Sequence, residues 1–290
     1  MPARDPTPAR RRRTRAGRRW VLLLLAAALL LTLTGGIAER YLLTARPACQ
    51  EALVPAYFYP GPTWNRAIDS KPAPGVMILD ITSSGAGSSP DRNYQATVKR
   101  AQAAGIKILG YSNTDYTRRP AAAVQADVRH YRSWYGVTGI FLDEVSSDRS
   151  GLPYYRRLAG YVHRMDPGST VMLNPGLYPE RQYMSIGDIV MVYENTYASF
   201  VGLHVPDWAD NYPARKFAYA IYAASGTQLT NALRLAERRN AGYVYVTANS
   251  GSNPYGSLPA YWPREEATLA GQCAAGGFTG RDSAARRDSS

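Results

Sequence analysis

Short apolar runs alternate with longer amphipathic segments from about residue 50 to about residue 270. Runs of about four to eight apolar residues are typical of buried strands, whereas longer segments with a helical period are typical of the helices that cover them. Strands are predicted at residues 53–59, 76–80, 106–111, 139–144, 170–174, 188–194, 217–222 and 243–247. Longer helices are predicted at about 90–104, 120–135, 153–166, 227–240 and 261–270, with short helical turns at 64–69 and 179–185.

Eight alternating units of strand and helix predict a parallel sheet covered by helices. Eight is the number of units in a closed (β/α)8 TIM barrel, which is the α/β fold that we expect. An open, doubly wound sheet is the alternative. No Gly-x-Gly-x-x-Gly turn follows the first predicted strand, and the chain has no Gly-x4-Gly-Lys-Ser/Thr loop. Both of these nucleotide-binding motifs are therefore absent from the sequence.

Residues 1–46 form a separate, Arg-rich leader with a short linker. Ten arginines and two acids in this leader account for +8 of the formal net charge of +12. An apolar run at residues 20–34, extended to residue 38 by small residues, follows the basic block, as in an export signal. Its length is also close to the roughly 20 residues that span a bilayer. We expect the rest of the chain to be exported, and either secreted after cleavage or kept outside the cytoplasm by a membrane anchor.

The barrel is expected to comprise residues 47–275, followed by a small, polar and disordered tail at 276–290. The charge outside the leader is dispersed, without a basic run interleaved with stacking aromatics, so we expect no nucleic-acid partner. Cys49 and Cys273 lie near the two ends of the barrel region. In an oxidising compartment a disulfide between them would join the first and last elements, and two separate thiols are the alternative. We expect a monomer.

Polar residues stand at the predicted strand ends, where the function of a TIM barrel is located. In chain order these are Tyr59, Asp80, Tyr111, Asp143 with Glu144, Asn174, Glu194, Tyr222 and Asn249. Asp80 is equally well explained as a helix cap or a loop anchor, because Asp is common at such positions. Glu194 is a stronger candidate for chemistry, because glutamate is a poor N-cap and this one follows a wholly apolar run.

The predicted catalytic residues are Asp143, Glu144 and Glu194. Two carboxylates across a cleft, without a Ser/His/Asp or Cys/His set, indicate glycoside hydrolysis, in which one acid protonates the leaving oxygen and the other attacks the anomeric carbon or activates water. Asp143 and Glu144 are expected to face different ways, because side chains alternate along a strand. We expect retaining chemistry with Asp143 as nucleophile, Glu194 as general acid/base and Glu144 assisting, and an exchange of these roles stays open. We expect neither a metal nor a cofactor.

The other strand-end residues are predicted to bind the substrate: Tyr59, Asp80, Tyr111, Asn174, Tyr222 and Asn249. The chain has 22 tyrosines against five phenylalanines. A tyrosine offers an apolar face and a hydroxyl, which suits a ligand such as a sugar. The same composition is compatible with a non-catalytic carbohydrate-binding barrel or a structural protein of the cell surface, and these are the alternatives to an enzyme.

Five motifs together resemble spherulation-specific family 4, the spherulin-4-like proteins. They are VPAYFYP at residues 54–60 with Trp64, ILD at 78–80, GIFLDE at 139–144, LNPG at 173–176 and VYENTY at 192–197. The resemblance covers about residues 53–270. It implies a (β/α)8 glycoside hydrolase with Asp143, Glu144 and Glu194 as the essential acids. Fungal members cleave α-1,4-linked N-acetylgalactosamine in galactosaminogalactan, so an endo-acting enzyme for an extracellular amino-sugar polysaccharide is expected.

Overall fold

The computed structural model of the protein describes residues 49–276. Eight strands pair in parallel and in chain order, and the last pairs with the first to close a barrel. The strands are β1 (Glu51–Ala56), β2 (Val76–Leu79), β3 (Lys107–Asn113), β4 (Gly139–Asp143), β5 (Val171–Leu173), β6 (Ile189–Thr196), β7 (Phe217–Tyr222) and β8 (Tyr243–Val246). The predicted TIM barrel is confirmed, and the open sheet is excluded.

Seven α-helices lie between or after the strands in the described part of the chain. They are α1 (Pro62–Ile68), α2 (Arg92–Ala103), α3 (Ala121–Tyr135), α4 (Leu152–Met165), α5 (Tyr197–Val201), α6 (Leu229–Arg238) and α7 (Trp262–Gly276). Short 3-10 turns occupy Asp115–Thr117, Arg149–Gly151, Arg181–Ser185, Asp207–Asn211 and Ala214–Lys216. Strand residues are buried almost throughout, because the barrel interior covers one face and the helices cover the other.

Several strands end at other residues than the sequence predicts, and strand pairing explains each difference. Strand β1 stops at Ala56 because its partner β2 stops at Leu79, which pairs with Ala56. Strand β3 continues beyond Tyr111 because Asn113 pairs with Asp143. Strand β6 continues to Thr196, which pairs with β7. The real end of the first strand therefore brings Tyr57, and not Tyr59, next to the barrel mouth.

Strand β6 contains an irregularity just before its acidic residue. The register between β6 and β7 shifts between Met191 and Tyr193. Such a bulge changes the direction in which the following side chains point, and bulges are frequent beside active sites. We attribute the orientation of Glu194 into the barrel mouth to this shift.

Both predicted terminal segments fall outside the described residues. The signal or anchor segment at 20–38 and the tail beyond residue 276 therefore stay predictions. Over residues 49–276, no helix combines the length and the apolarity needed to cross a membrane. Cys49 has no disulfide partner among the described residues, and the side chain of Cys273 is not among them.

Two adjacent carboxylic acids are buried on α7. Glu265 and Glu266 are 0% and 2% exposed, and each has one oxygen without a hydrogen-bond partner. The other oxygen of Glu265 accepts from the Val246 amide at 2.8 Å. Burial raises the pKa of Glu265 well above its usual range and raises that of Glu266 to about 8. Both acids are therefore protonated at mildly acidic pH, where their burial costs the least folding free energy.

This burial predicts that the folded state loses stability as the pH rises. The folded protein holds the Glu266 proton more tightly than the unfolded chain, so the stabilisation is complete below the ordinary carboxyl pKa and disappears as the pH rises to about 8. Glu266→Gln should flatten the decline of the melting temperature between about pH 5 and 9. The control Glu237→Gln, at an exposed carboxylate on α6, should keep the wild-type slope. Equal slopes for wild type and Glu266→Gln would contradict the assignment.

Candidate active site

Two carboxylates from different strands converge on one amide group at the barrel mouth. The Asn174 side-chain nitrogen donates to Asp143 Oδ1 at 2.7 Å and to Glu194 Oε2 at 2.5 Å. Those two oxygens can therefore be no farther apart than the sum of 2.7 and 2.5 Å, about 5 Å. Asp143 ends β4 and Glu194 lies on β6, so the barrel brings together residues that are far apart in sequence.

Asn174 is held firmly between the two acids. It is the first residue after β5, is 4% exposed, and its backbone N–H donates to the Leu142 carbonyl at 2.9 Å. Its side-chain oxygen accepts from the Gly176 amide at 3.0 Å. That bond fixes which side of the amide is oxygen, so the nitrogen must face the carboxylates. Both amide hydrogens are used, one for each acid.

Asp143 is buried but well supplied with hydrogen-bond donors. The Tyr111 hydroxyl donates to Asp143 Oδ2 at 2.8 Å, while Asn174 donates to the other oxygen. Burial raises the pKa of Asp143, and the hydrogen bonds from Tyr111, the Glu144 backbone and Asn174 oppose this rise. Donors stabilise the ionised form of a carboxylate. Asp143 is therefore the member of the pair better suited to carry the negative charge.

Glu194 is the member better suited to keep the proton. Burial raises the pKa of Glu194, and the negative charge of Asp143 raises it further, against the hydrogen bonds from Asn174 and Tyr255. Two carboxylates this close do not both ionise easily, so the pair retains one proton to a higher pH than either acid alone would. The unequal supply of donors directs that proton to Glu194.

Two tyrosines that the sequence analysis missed complete the site. The Tyr57 ring lies edge-on to Tyr111 at 5.6 Å and to Tyr255 at 5.5 Å between centroids. After burial, the charges of Asp143 and Glu194 are the largest causes that raise the pKa of Tyr57, so its hydroxyl lies near both acids. Tyr255 is 4% exposed, and its hydroxyl lies near enough to Glu194 to lower the pKa of that acid, although the contact does not have the geometry of a regular hydrogen bond.

Glu144 follows the end of β4 with an unusual backbone. Its backbone is left-handed, with a φ of 52°, and its carbonyl accepts from the Thr114 hydroxyl and the Tyr116 amide at 2.9 and 2.8 Å. Burial first, and then the charges of Asp143 and Asp115, raise the pKa of its carboxyl group, while Arg118 lowers it. The carboxylate of Glu144 thus belongs to the rim of the mouth beside the loop after β3.

Asp80 has both of the roles that its sequence position allows. Its Oδ1 accepts from the Ser83 amide at 2.7 Å, which anchors the loop after β2. Burial is the main cause that raises its pKa, and the charge of Asp143 adds to the rise. Asp80 therefore borders the site while it holds the loop in place.

The three remaining predicted substrate-binding residues are engaged in hydrogen bonds with neighbouring elements, and Tyr222, at the end of β7, is close enough to Tyr255 to raise its pKa. Tyr59 is 56% exposed and its hydroxyl donates to Asp91 at the start of α2, because β1 ends three residues earlier. Tyr222 donates to the side chain of Asn195 on the neighbouring strand. Asn249 closes the loop after β8 by donating to the Ser257 carbonyl at 3.1 Å, and this loop inserts Tyr255. Asn249 therefore helps to hold the loop that carries Tyr255.

The chemistry that this arrangement allows is acid–base and nucleophilic. One buried acid is poised to keep a proton, and a second acid about 5 Å away is stabilised as an anion. Among residues 49–276, no group of three or more His, Cys, Asp and Glu side chains is arranged to hold a metal ion. The three tyrosines around the acids provide apolar ring surface and hydroxyls for a polar ligand.

Comparison with known proteins gives matches over most of the barrel. The sequence profile of spherulation-specific family 4 matches residues 51–268. Spherulin-4 of Physarum polycephalum is 30% identical over 230 residues, which cover 75% of this chain and 69% of that protein. The matched range includes Asp143, Glu144 and Glu194. The resemblance seen in the five sequence motifs is thereby confirmed.

Solved structures share the barrel. The crystal structure of Aspergillus clavatus Sph3 in complex with GalNAc has a TM-score of 0.67 at 24% identity, covering 77% of this chain and 98% of that one. The spore cortex-lytic enzyme SleL of Bacillus cereus has a TM-score of 0.51 at 11% identity, covering 77% of this chain and 75% of that one. At these identities the likeness concerns the fold.

Proposed function

This chain belongs to spherulation-specific family 4, and from that premise we propose that it is a glycoside hydrolase acting on an extracellular polysaccharide that contains amino sugars. The observation on which the proposal rests is the pair Asp143 and Glu194, held on the single amide of Asn174 at the barrel mouth. A pair of carboxylates with unequal environments is what glycoside hydrolysis requires. The structurally similar Sph3 of Aspergillus clavatus, solved with GalNAc, suggests N-acetylgalactosamine as the first sugar to test.

A retaining mechanism suits the distance between the acids. Retaining glycosidases place their carboxyl groups about 5–5.5 Å apart, whereas inverting enzymes leave about 6.5–9.5 Å for a water molecule. The two oxygens held by Asn174 are at most about 5 Å apart, which is closer to the retaining spacing than to the inverting one. We therefore assign Asp143 as the nucleophile and Glu194 as the general acid/base.

The reaction proceeds in two displacements. In the first, Asp143 Oδ attacks the anomeric carbon while Glu194 gives its proton to the glycosidic oxygen, so that the bond between that oxygen and the anomeric carbon breaks. A covalent glycosyl–Asp143 ester remains. In the second, Glu194 takes a proton from water, the resulting hydroxide attacks the anomeric carbon, and the ester bond breaks. The sugar leaves with its original anomeric configuration, and both acids return to their starting protonation states.

Neighbouring residues support the two acids in this scheme. Tyr111 and Asn174 each donate to one oxygen of Asp143, which keeps the carboxylate ionised and fixes its orientation. Tyr57 packs edge-on against Tyr111 and Tyr255, and we assign its hydroxyl a role in substrate contact because both acids raise its pKa. Glu144 lies at the rim of the barrel mouth and assists hydrolysis by contacting the substrate.

A screen of purified protein against a panel of amino-sugar polymers tests this proposal, with the anomer of the first product determined by proton NMR. Release of oligosaccharides with retained configuration is the expected result. Inverted product would contradict the assignment of Asp143 as nucleophile. Binding without cleavage of any polymer would favour a non-catalytic carbohydrate-binding barrel instead.

We also propose that the barrel acts outside the cytoplasm and that Cys49 and Cys273 form a disulfide there. Gln50, with its amide oriented to satisfy its neighbours, donates to the side-chain oxygen of Gln272 at 3.2 Å. The residues adjacent in sequence to the two cysteines are therefore in contact. Such a bond would close a loop that includes the entire barrel, and long loops gain most from closure.

The disulfide should contribute about 2–5 kcal/mol to the free energy of unfolding. Reduction, Cys49→Ser and Cys273→Ser should each lower the melting temperature by a similar amount, because each removes the same bond. Mass spectrometry with and without reductant should show the loss of two hydrogens in the protein exported from its host. Two titratable thiols in that protein, with an unchanged melting temperature after reduction, would exclude the bond.

A further inference from the structure

Tyr116 is one of four large hydrophobic side chains that are exposed in the described part of the chain. Its side chain is 54% exposed, and it lies in the loop after β3, next to the acidic end of β4. A single exposed tyrosine has no need of explanation by itself. The backbone that holds Tyr116 is the unusual feature.

Three consecutive residues without glycine adopt left-handed backbone angles at this point. The φ angles of Asp115, Tyr116 and Thr117 are 45°, 50° and 81°. Each such residue costs about 1–3 kcal/mol, and a bulky or β-branched residue with positive φ is a true outlier. Strain of this kind persists only where the surroundings impose it, and it is concentrated at functional sites.

Buried groups fix the loop on both sides of Tyr116. On one side Thr114, which is fully buried, donates its amide to the Asp143 carbonyl at 2.9 Å and its hydroxyl to the same carbonyl at 2.8 Å. On the other side Arg119 pairs with the buried Asp127 at 2.7 Å and donates to the Asn113 carbonyl at 3.0 Å. The strained residues therefore lie between two anchors, which hold the backbone from which the exposed ring projects.

The loop is also connected directly to the catalytic strand. The Tyr116 amide donates to the Glu144 carbonyl at 2.8 Å. The Arg118 guanidinium lies 5.9 Å from the centroid of the Tyr116 ring and pairs with Asp115. Arg118 pairs with Asp115 and also acts on Glu144, whose carboxylate has no ion-pair partner within 4 Å among the described residues, so that Asp115, Asp143 and Glu144 outnumber the single guanidinium. The surroundings of the ring are consequently acidic.

We propose that Tyr116 and Glu144 form a sugar-binding subsite beside the catalytic pair. The Tyr116 ring stacks on the C–H face of a sugar residue next to the cleaved bond, and the Glu144 carboxylate accepts hydrogen bonds from its hydroxyl or amino groups. The acidic surroundings select a neutral or positively charged sugar and disfavour a uronic acid. This inference rests on the proposed function, because it assigns part of the same polysaccharide site.

The test measures binding and hydrolysis separately. Binding of N-acetylgalactosamine, galactosamine and galacturonic acid oligosaccharides is measured by calorimetry on the Glu194→Gln protein, whose hydrolysis is expected to be about 10²–10⁴-fold slower. Adding Tyr116→Ala should weaken binding of the N-acetylgalactosamine oligosaccharide about tenfold, the equivalent of about 1.4 kcal/mol. Tyr116→Phe should retain most of the affinity, because the ring remains. Glu144→Gln should reduce the preference for galactosamine over galacturonic acid oligosaccharides.

A matched control distinguishes the subsite from a general surface effect. Tyr161 is a tyrosine of α4 whose hydroxyl accepts from Arg129, and Tyr161→Ala should leave binding unchanged. Unchanged binding in Tyr116→Ala would overturn the subsite even if the wild type hydrolyses the polymer. A wild type that binds these oligosaccharides through Tyr116 without hydrolysing them would overturn the proposed function and support the subsite. Failure of the Glu194→Gln protein and the wild type to bind any of the three would overturn both.

Discussion

Asp143→Asn is expected to reduce polysaccharide hydrolysis by about 10⁴-fold or more, because the amide cannot form the covalent intermediate. The replacement has nearly the same shape, and its oxygen can still accept from Asn174 while its nitrogen faces the Tyr111 hydroxyl. Binding of the polymer and the melting temperature should therefore change little. The measurement is kcat on the polymer found in the screen, together with calorimetric binding.

A second effect of Asp143→Asn follows from the coupling of the two acids. The charge of Asp143 raises the pKa of Glu194 in the wild type. Without that charge, Glu194 loses its proton at lower pH, so the alkaline limb of the residual activity should move to lower pH. Asp210→Asn, at an exposed position in the loop before β7, is the control and should retain wild-type kinetics. Wild-type kcat in Asp143→Asn would exclude it as the nucleophile.

Glu194→Gln is expected to reduce hydrolysis by about 10²–10⁴-fold, the usual contribution of a general acid. The loss should depend on the leaving group, since a substrate with an acidic leaving group needs little protonation. Such a substrate should retain much of its first-step rate. Glutamine also cannot activate water, so the glycosyl–Asp143 ester should accumulate and be visible as a mass increase of the intact protein.

The pH dependence provides an independent check on Glu194. The wild type needs this residue protonated, so activity should decline as the pH rises through a pKa that burial and Asp143 have raised. Glu194→Gln should lack that alkaline decline. Added azide, which needs no general base, should restore turnover of the activated substrate. If Glu194→Gln retained the alkaline decline of activity, or if azide did not restore its turnover, another residue would have to be the general acid/base.

The barrel is well predicted from the sequence because the alternation of apolar runs and amphipathic segments is repeated eight times. Eight apolar runs separated by helices define the fold whatever the error at each boundary. The candidate acids are predictable for a related reason, since Asp143 and Glu194 stand where buried strands emerge and burial of a carboxylate demands an explanation. Their mutual distance is not predictable, because it depends on the tilt of the strands and on a register shift in β6.

The residues that the sequence did not predict for the site, or predicted at the wrong place, are those whose position depends on local backbone geometry. Tyr57 and Tyr59 are two residues apart, and only the short length of β2 determines which of them lies at the mouth. Tyr255 belongs to a loop of some 15 residues that has no period from which its insertion could be inferred. The left-handed backbones of Tyr116 and Glu144 contradict the preferences of both residue types, so no propensity would have indicated them.

The single amide of Asn174 makes the protonation of the proposed catalytic pair observable without any substrate. One of its two hydrogens faces Asp143 and the other faces Glu194, and the bond from Gly176 prevents the group from turning over. In protein labelled with ¹⁵N, the two hydrogens should resonate separately, and each should shift as its own carboxylate gains or loses a proton. A pH titration of the Asn174 side-chain amide would thus assign each of the two protonation steps to one residue. The pH dependence of the rate reports those steps only for the pair as a whole.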